Sequence, residues 1–174
     1  MTTLVLSVVG SDRPGLTRAL AAAVLAAEGN WLESRLSRLG GLYVGSVLVE
    51  IDPARVEDLR AAVRAVDAEG LEVRIAPALE AEDGAGEAVR LSLVGQDRPG
   101  IVHQVTGVLS RLEANIESFT TRVSMEPHSG GQLFHMDARL RLPPHLTAAD
   151  VQAALEEISA EIMVDIALTP AEQE

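Results

Sequence analysis

The chain contains no cysteine and no lysine, and only four aromatic residues: Trp31, Tyr43, Phe119 and Phe134. Each shortage excludes something. Without cysteine there are no disulfides and no thiolate zinc sites. Zero cysteines fits either side of a membrane and sets no compartment. Single-stranded nucleic acids are held on several aromatic platforms, and four aromatics are too few for that. Basic residues are also scarce, with 14 arginines against 26 acids and a formal net charge of −12. Phosphate neutralisation supplies most of the affinity of a direct nucleic-acid binder, so this balance argues against one. The longest apolar run, Ala19 to Ala27, lies between Arg18 and Glu28. It falls far short of the ~20 residues that span a bilayer. The N-terminus has no basic segment before its apolar run and reaches Asp12-Arg13 early, unlike a secretory signal. The expectation is a cytoplasmic protein without membrane contact.

What is present is an ordinary apolar share, 47% of 174 residues, enough for a core in one domain or two small ones. The chain also repeats itself. Gly10-Ser-Asp-Arg-Pro-Gly15 recurs as Gly95-Gln-Asp-Arg-Pro-Gly100, 85 residues later. The preceding segments Leu4–Gly10 and Val89–Gly95 match, and the offset holds to Asn30 and Asn115. A one-residue slip then pairs Glu33-Ser34 with Glu117-Ser118 and Arg38 with Arg122. Gly40-Gly41 answers to Gly130-Gly131, and Leu42-Tyr43 to Leu133-Phe134 at an offset of 91. The second copy carries the longer loop, Met125 to Gly131. Residues 77–88, rich in Ala, Gly and Glu without apolar periodicity, read as a linker between domains 1–76 and 89–174.

Periods alternate within each copy. Thr3–Val9 is a short β-branched run and predicts a buried strand. Pro14–Glu28 places Leu16, Leu20, Val24 and Ala27 at helical spacing, with Pro14 in the first turn and Gly29 ending the helix. Trp31–Leu39 and Leu42–Ile51 flank Gly40-Gly41 as a hairpin. Val56–Ala68 is helical with Leu59, Val63 and Val66 on one face, and Leu71, Val73 and Ile75 alternate as a last strand. The second copy repeats this order over Val89–Val94, Pro99–Glu113, Ile116–Ser124, Gln132–Leu142, Ala148–Ala160 and Ile162–Leu168. Strand, helix, strand, strand, helix, strand is the ferredoxin-like βαββαβ order. The expected class is α+β, two tandem ferredoxin-like domains with antiparallel sheets and the helices on one face.

The repeated loop joins a strand to a helix. The first N–H groups of a helix lack internal partners and favour an anion. Gly15 and Gly100 let a ligand approach the backbone. Asp12 and Asp97 are placed to accept an ammonium. Asn30 and Asn115, fifteen residues past the loop glycines, start the next strand with both a donor and an acceptor. Helix N-terminus, acid and amide together match a free α-amino acid. A plainer reading stands beside this one: Asp before a helix is an ordinary N-cap, and Pro-Gly is ordinary helix-start chemistry.

Gly-x-Asp-Arg-Pro-Gly, a helix, then Asn fifteen residues after the glycine, inside a βαββαβ unit, resembles the ACT domain, a small regulatory module that binds amino acids. The resemblance covers nearly the whole chain as two copies. It is nearest to the glycine cleavage system transcriptional repressors, which consist of two ACT domains without a catalytic one. It implies a ligand site at Asp12, Arg13, Pro14, Gly15 and Leu16 with Asn30, and at Asp97, Arg98, Pro99, Gly100 and Ile101 with Asn115. It also implies glycine or serine as ligand, a regulator protein as partner, no direct nucleic-acid contact, and room for a homo-oligomer. In the phosphoglycerate dehydrogenase type of ACT domain the site lies between two ACT units. That type carries His where this chain has Gly10 and Gly95, and Asn where it has Asp12 and Asp97.

Catalytic and metal signals are poor. His103, His128, His135 and His145 are scattered rather than set at zinc spacing. No nucleophile, base and orienter assemble, and Glu156-Glu157 reads as a solvated helix face. The expectation is a protein that is not an enzyme, with no cofactor and no metal: an amino-acid-sensing regulator of glycine or serine metabolism working through a protein partner. A regulatory subunit of an amino-acid enzyme, or an interaction module indifferent to ligand, are the other readings.

Overall fold

The computed structural model describes residues 1–67, 70–79, 86–125 and 130–171. The chain divides into two compact units, Met1–Glu80 and Ala81–Glu174. The first unit runs β1 (Thr2–Ser11), α1 (Leu16–Ala26), β2 (Asn30–Leu39), β3 (Leu42–Ile51), α2 (Val56–Asp67) and β4 (Leu71–Pro77). The second runs β5 (Ala88–Gln96), α3 (Ile101–Arg111), β6 (Asn115–Met125), β7 (Gln132–Arg141), α4 (Ala148–Ile162) and β8 (Val164–Pro170). Each unit forms one four-stranded antiparallel sheet, in the orders β2-β3-β1-β4 and β6-β7-β5-β8. This is the expected ferredoxin-like fold, twice. Pro77 closes β4 and Ala88 opens β5, so both ends of the linker segment belong to strands; residues 80–85 lie outside the described ones.

Alternation builds the core. Leu4, Leu6 and Val8 point inward from β1, opposite Val47, Val49 and Ile51 of β3, and Leu16, Leu20, Ala23 and Val24 of α1 close over them with Leu59, Val63 and Val66 of α2. The second unit repeats the layer with Val89, Leu91 and Leu93, Met136, Ala138 and Leu140, and the α3 and α4 positions Val105, Leu109, Val151 and Leu155. Each fully buried leucine contributes about 2–3 kcal/mol of burial. No polar or charged residue is buried among the described ones.

Four sequence expectations change. The helix starts at Leu16, not Pro14, because Gly15 takes a left-handed conformation (φ 96°) before it; Gly100 (φ 97°) does the same before Ile101. The reversal after the helix falls on Glu28 (φ 58°) and not on Gly29, with Glu113 (φ 56°) its counterpart. Ile162 is the last helical residue of α4, Met163 (φ 50°) the left-handed cap, and the strand begins at Val164.

The fourth change concerns alignment of the repeats. Trp31 pairs Val49, Glu33 pairs Leu48 and Leu39 pairs Leu42. In the second unit Ile116 pairs Leu140, Ser118 pairs Arg139 and Ser124 pairs Leu133. Register therefore keeps the offset of 85 through the whole strand, without the slip that letter matching suggests. Glu33 answers to Ser118, Arg38 to Val123, and the bulged Leu32 to the bulged Glu117. The offset rises from 85 to 91 across the hairpin connection and to 93 between β7 and β8, so most of the extra length of the second copy sits in the hairpin connection and two residues in the segment that carries α4.

Candidate functional site

Both loops are built alike from the backbone. Asp12 N donates to Gly41 O (3.2 Å), and Asp97 N to Gln132 O (2.8 Å), tying each loop to the β-hairpin beside it. The first intrahelical bonds run from Ala19 N to Gly15 O and from Gln104 N to Gly100 O, both 2.9 Å. No side chain caps either helix start. The first-turn amides thus carry their partial positive charge toward solvent. The ordinary N-cap reading of Asp12 and Asp97 does not hold, since neither carboxylate bonds the helix. Nothing lies within 4 Å of where a Cβ would sit on Gly15 or Gly100. Glycine is required there by the positive φ, and the surrounding space is open.

Gly10 and Gly95 have a different reason. A Cβ on Gly10 would collide with Gly70 O, and one on Gly95 with Met163 O. The last turn before β4 or β8 passes directly against these residues, so a histidine at either place would need the backbone to shift.

Side chains separate the two loops. Arg38 Nε lies 3.1 Å from Asp12 Oδ2. Thr17 Oγ1, in the first turn of α1, is 2.7 Å from Tyr43 Oη on β3. Arg13, Pro14, Gly15, Leu16, Arg18 and Ala19 line a cavity of about 340 Å³ beside this loop. At the corresponding places the second repeat has Val123, Val102 and Phe134, so neither side-chain link exists there. Arg98 Nε and Gln104 Oε1 are buried without a hydrogen-bond partner among the described residues. Sequence reading missed Arg38 because the slip set it against Arg122, and missed Thr17 and Tyr43 because their hydrogen bond appears only once α1 lies beside β3.

The asparagines stand elsewhere. Asn30 pairs Glu50, which pairs Thr3 on the other side. The loop leaves β1 after Ser11, level with Leu42 and Leu39. Asn30 and Asp12 therefore occupy opposite ends of one sheet, roughly 30 Å apart at ~3.3 Å per residue. Asn115, level with Arg141 and Ala88, is as far from Asp97. Each repeat brings together the residues Asp12–Leu16 or Asp97–Ile101, and does not bring its own asparagine to them.

A separate polar cluster covers the outer face of the second sheet. Glu117 accepts from Arg141 Nε (2.8 Å) and Arg139 Nε (3.0 Å), and these bonds, Arg141 first, hold its carboxyl below the usual range. Asp137 accepts from Ser92 Oγ (2.9 Å) and Arg90 Nε (3.1 Å), which lower it likewise. Ser124 Oγ and His135 Nε2 are 2.8 Å apart. His103 is exposed on the first turn of α3, and His128 lies outside the described residues. No group of three or more His, Asp or Glu is placed for a metal among the described residues. No helix there is long and apolar enough to cross a membrane.

Residues 2–76 match the ACT domain family. No curated protein matches the chain. Among solved structures, the chain is similar to an unknown protein from Galdieria sulphuraria, at 29% identity over 98% of this chain and 99% of that one, with a TM-score of 0.86. It shares its fold with a protein described as a candidate glycine cleavage system transcriptional repressor, at 17% identity over 99% and 98% of the two chains, TM-score 0.72. Residues 2–76, which match the ACT domain family, take the βαββαβ fold, and Ala88–Pro170 repeats that fold strand for strand.

Proposed function

We propose that this protein is a non-catalytic sensor of a small free α-amino acid, and that it regulates glycine or serine metabolism by acting on a protein partner. The observation that carries the reading is the uncapped helix start behind a left-handed glycine, with an aspartate beside it. First-turn amides suit the ligand carboxylate and the aspartate suits its ammonium. The asparagine joins such a site only when a second ACT unit supplies it. The fold likeness to a candidate glycine cleavage repressor supports a transcriptional role. A net charge of −12 supports reaching DNA through a partner and not directly. Ligand binding would favour one conformation, and the partner would read the difference.

Affinity is bounded by ligand size. Glycine has about five heavy atoms at a ceiling of about 1.5 kcal/mol each, so Kd is no tighter than roughly micromolar. A thermal-shift screen of the twenty amino acids at millimolar concentration tests the reading. A rise in Tm with glycine or serine is expected, and no rise with any of the twenty would sink it. Affinity capture then separates partner classes: a DNA-binding regulator is expected, whereas an amino-acid enzyme would make the chain a regulatory subunit.

A further inference from the structure

The two repeats have the same backbone at the loop and different side chains around it. In the first, the guanidinium of Arg38 reaches the Asp12 carboxylate, and an ammonium ligand would have to displace a cation already there. The cavity on that side is lined by Arg13 and Arg18 but not by Asp12. It offers positive charge to a carboxylate and nothing to an ammonium. The Thr17–Tyr43 hydrogen bond further fixes the first turn of α1 to β3.

The second repeat keeps the loop Asp-Arg-Pro-Gly and replaces Arg38, Thr17 and Tyr43. Val123, half exposed, stands where Arg38 does, and Val102 and Phe134 replace Thr17 and Tyr43. Asp97 has no side-chain partner among the described residues, and it is exposed. Two buried polar atoms of this repeat, the donor Arg98 Nε in the loop and the acceptor Gln104 Oε1 in the first turn, are unpaired, and Ala19 stands where Gln104 does. Such atoms are costly to bury unless something meets them. The wall offered by Val102, Phe134 and Val123 is apolar, so it suits a ligand with a small or apolar side chain.

We infer that the second repeat alone takes the amino acid, at Asp97–Ile101, and that Arg38 and Tyr43 against Val123 and Phe134 decide which repeat binds. This rests on the amino-acid reading above and narrows it. One ligand binds per chain, and the first repeat serves as a structural copy.

The test is calorimetric titration of the full chain with whichever of the twenty amino acids gives the largest thermal shift. Wild type is expected to bind one equivalent. Asp97→Asn, an isosteric change at an exposed place, is expected to weaken binding at least tenfold, and Asp12→Asn to change it less than twofold. Val123→Arg, which brings a guanidinium to Asp97, is expected to weaken binding about two- to fivefold with the carboxylate intact. Arg38→Val with Tyr43→Phe is expected to raise the stoichiometry to two. A stoichiometry that stays at one removes Arg38 and Tyr43 as the determinants. Two equivalents in wild type, or loss with Asp12→Asn and not Asp97→Asn, overturns the assignment while leaving the sensor reading intact. Absence of binding by any amino acid overturns both.

Discussion

Arg38 Nε lies 3.1 Å from Asp12 Oδ2, spanning from the end of β2 to the loop that opens α1. Its guanidinium side is largely solvent-exposed, at 72%, so the pair is weak. Arg38→Ala is expected to cost about 0–1 kcal/mol, read as a small change in urea midpoint. The loss should shrink further in 1 M salt, where the screening length is about 3 Å. A large, salt-insensitive loss would show that Arg38 does more than pair.

Glu117 presents the opposite case, one carboxylate held by two arginines. Hydrogen bonds from Arg141 and Arg139 hold its folded pKa below the ordinary glutamate range. A depressed carboxylate adds stability above its unfolded pKa, and that stability is lost as pH falls through the folded value. Glu117→Gln is therefore expected to lower stability near pH 7 and to match wild type once both carboxyl states are protonated. Chemical denaturation across pH 7 to about pH 2.5 checks this. A deficit that persists unchanged in acid would make the role one of shape and not charge.

The two glycines of the first repeat should respond to substitution in opposite order. At Gly15 the obstacle is φ 96° in open space. Ala there costs about 1–2 kcal/mol, and Asn, which tolerates the left-handed region, costs less. At Gly10 the obstacle is the carbonyl of Gly70, so Asn has no advantage and both changes cost about 1–3 kcal/mol through overpacking. Melting curves of the four variants give the order. Asn better tolerated at Gly10 than at Gly15 would contradict it.

Helix α4 carries a full capping box: Thr147 accepts from Asp150 N, and the Asp150 side chain accepts from Thr147 N (2.9 Å). Neither loop helix has such a cap. Thr147→Ala is expected to destabilise by about 1 kcal/mol, measured by denaturation, and to leave amino-acid binding unchanged.

The repeated fold was legible in the sequence because periodicity reports burial directly. Leu16, Leu20 and Val24 at helical spacing are all buried, as are alternating Leu4, Leu6 and Val8. Helix limits were less legible, because a left-handed residue at Gly15 delays the start and a glutamate, rarely left-handed, makes the reversal at Glu28. The candidate loop residues and asparagines could be named from the sequence, but their distance from one another could not be read there. Asn30 follows Gly15 by one helix length, and that helix carries the chain back to the far end of the sheet. Matching Glu33 with Glu117 set Arg38 against Arg122 and hid its counterpart, Val123. The strand register, not letter identity, sets correspondence.

The distance between loop and asparagine has a consequence of its own. No side-chain rotation or loop motion within one repeat can close roughly 30 Å onto a ligand of glycine's size. A ligand that touches both is necessarily shared between two ACT units, and where the second unit belongs to another chain its occupancy counts encounters as well as metabolite. Such a sensor would respond to how many units are assembled and to how much amino acid is present, and the two dependences would multiply.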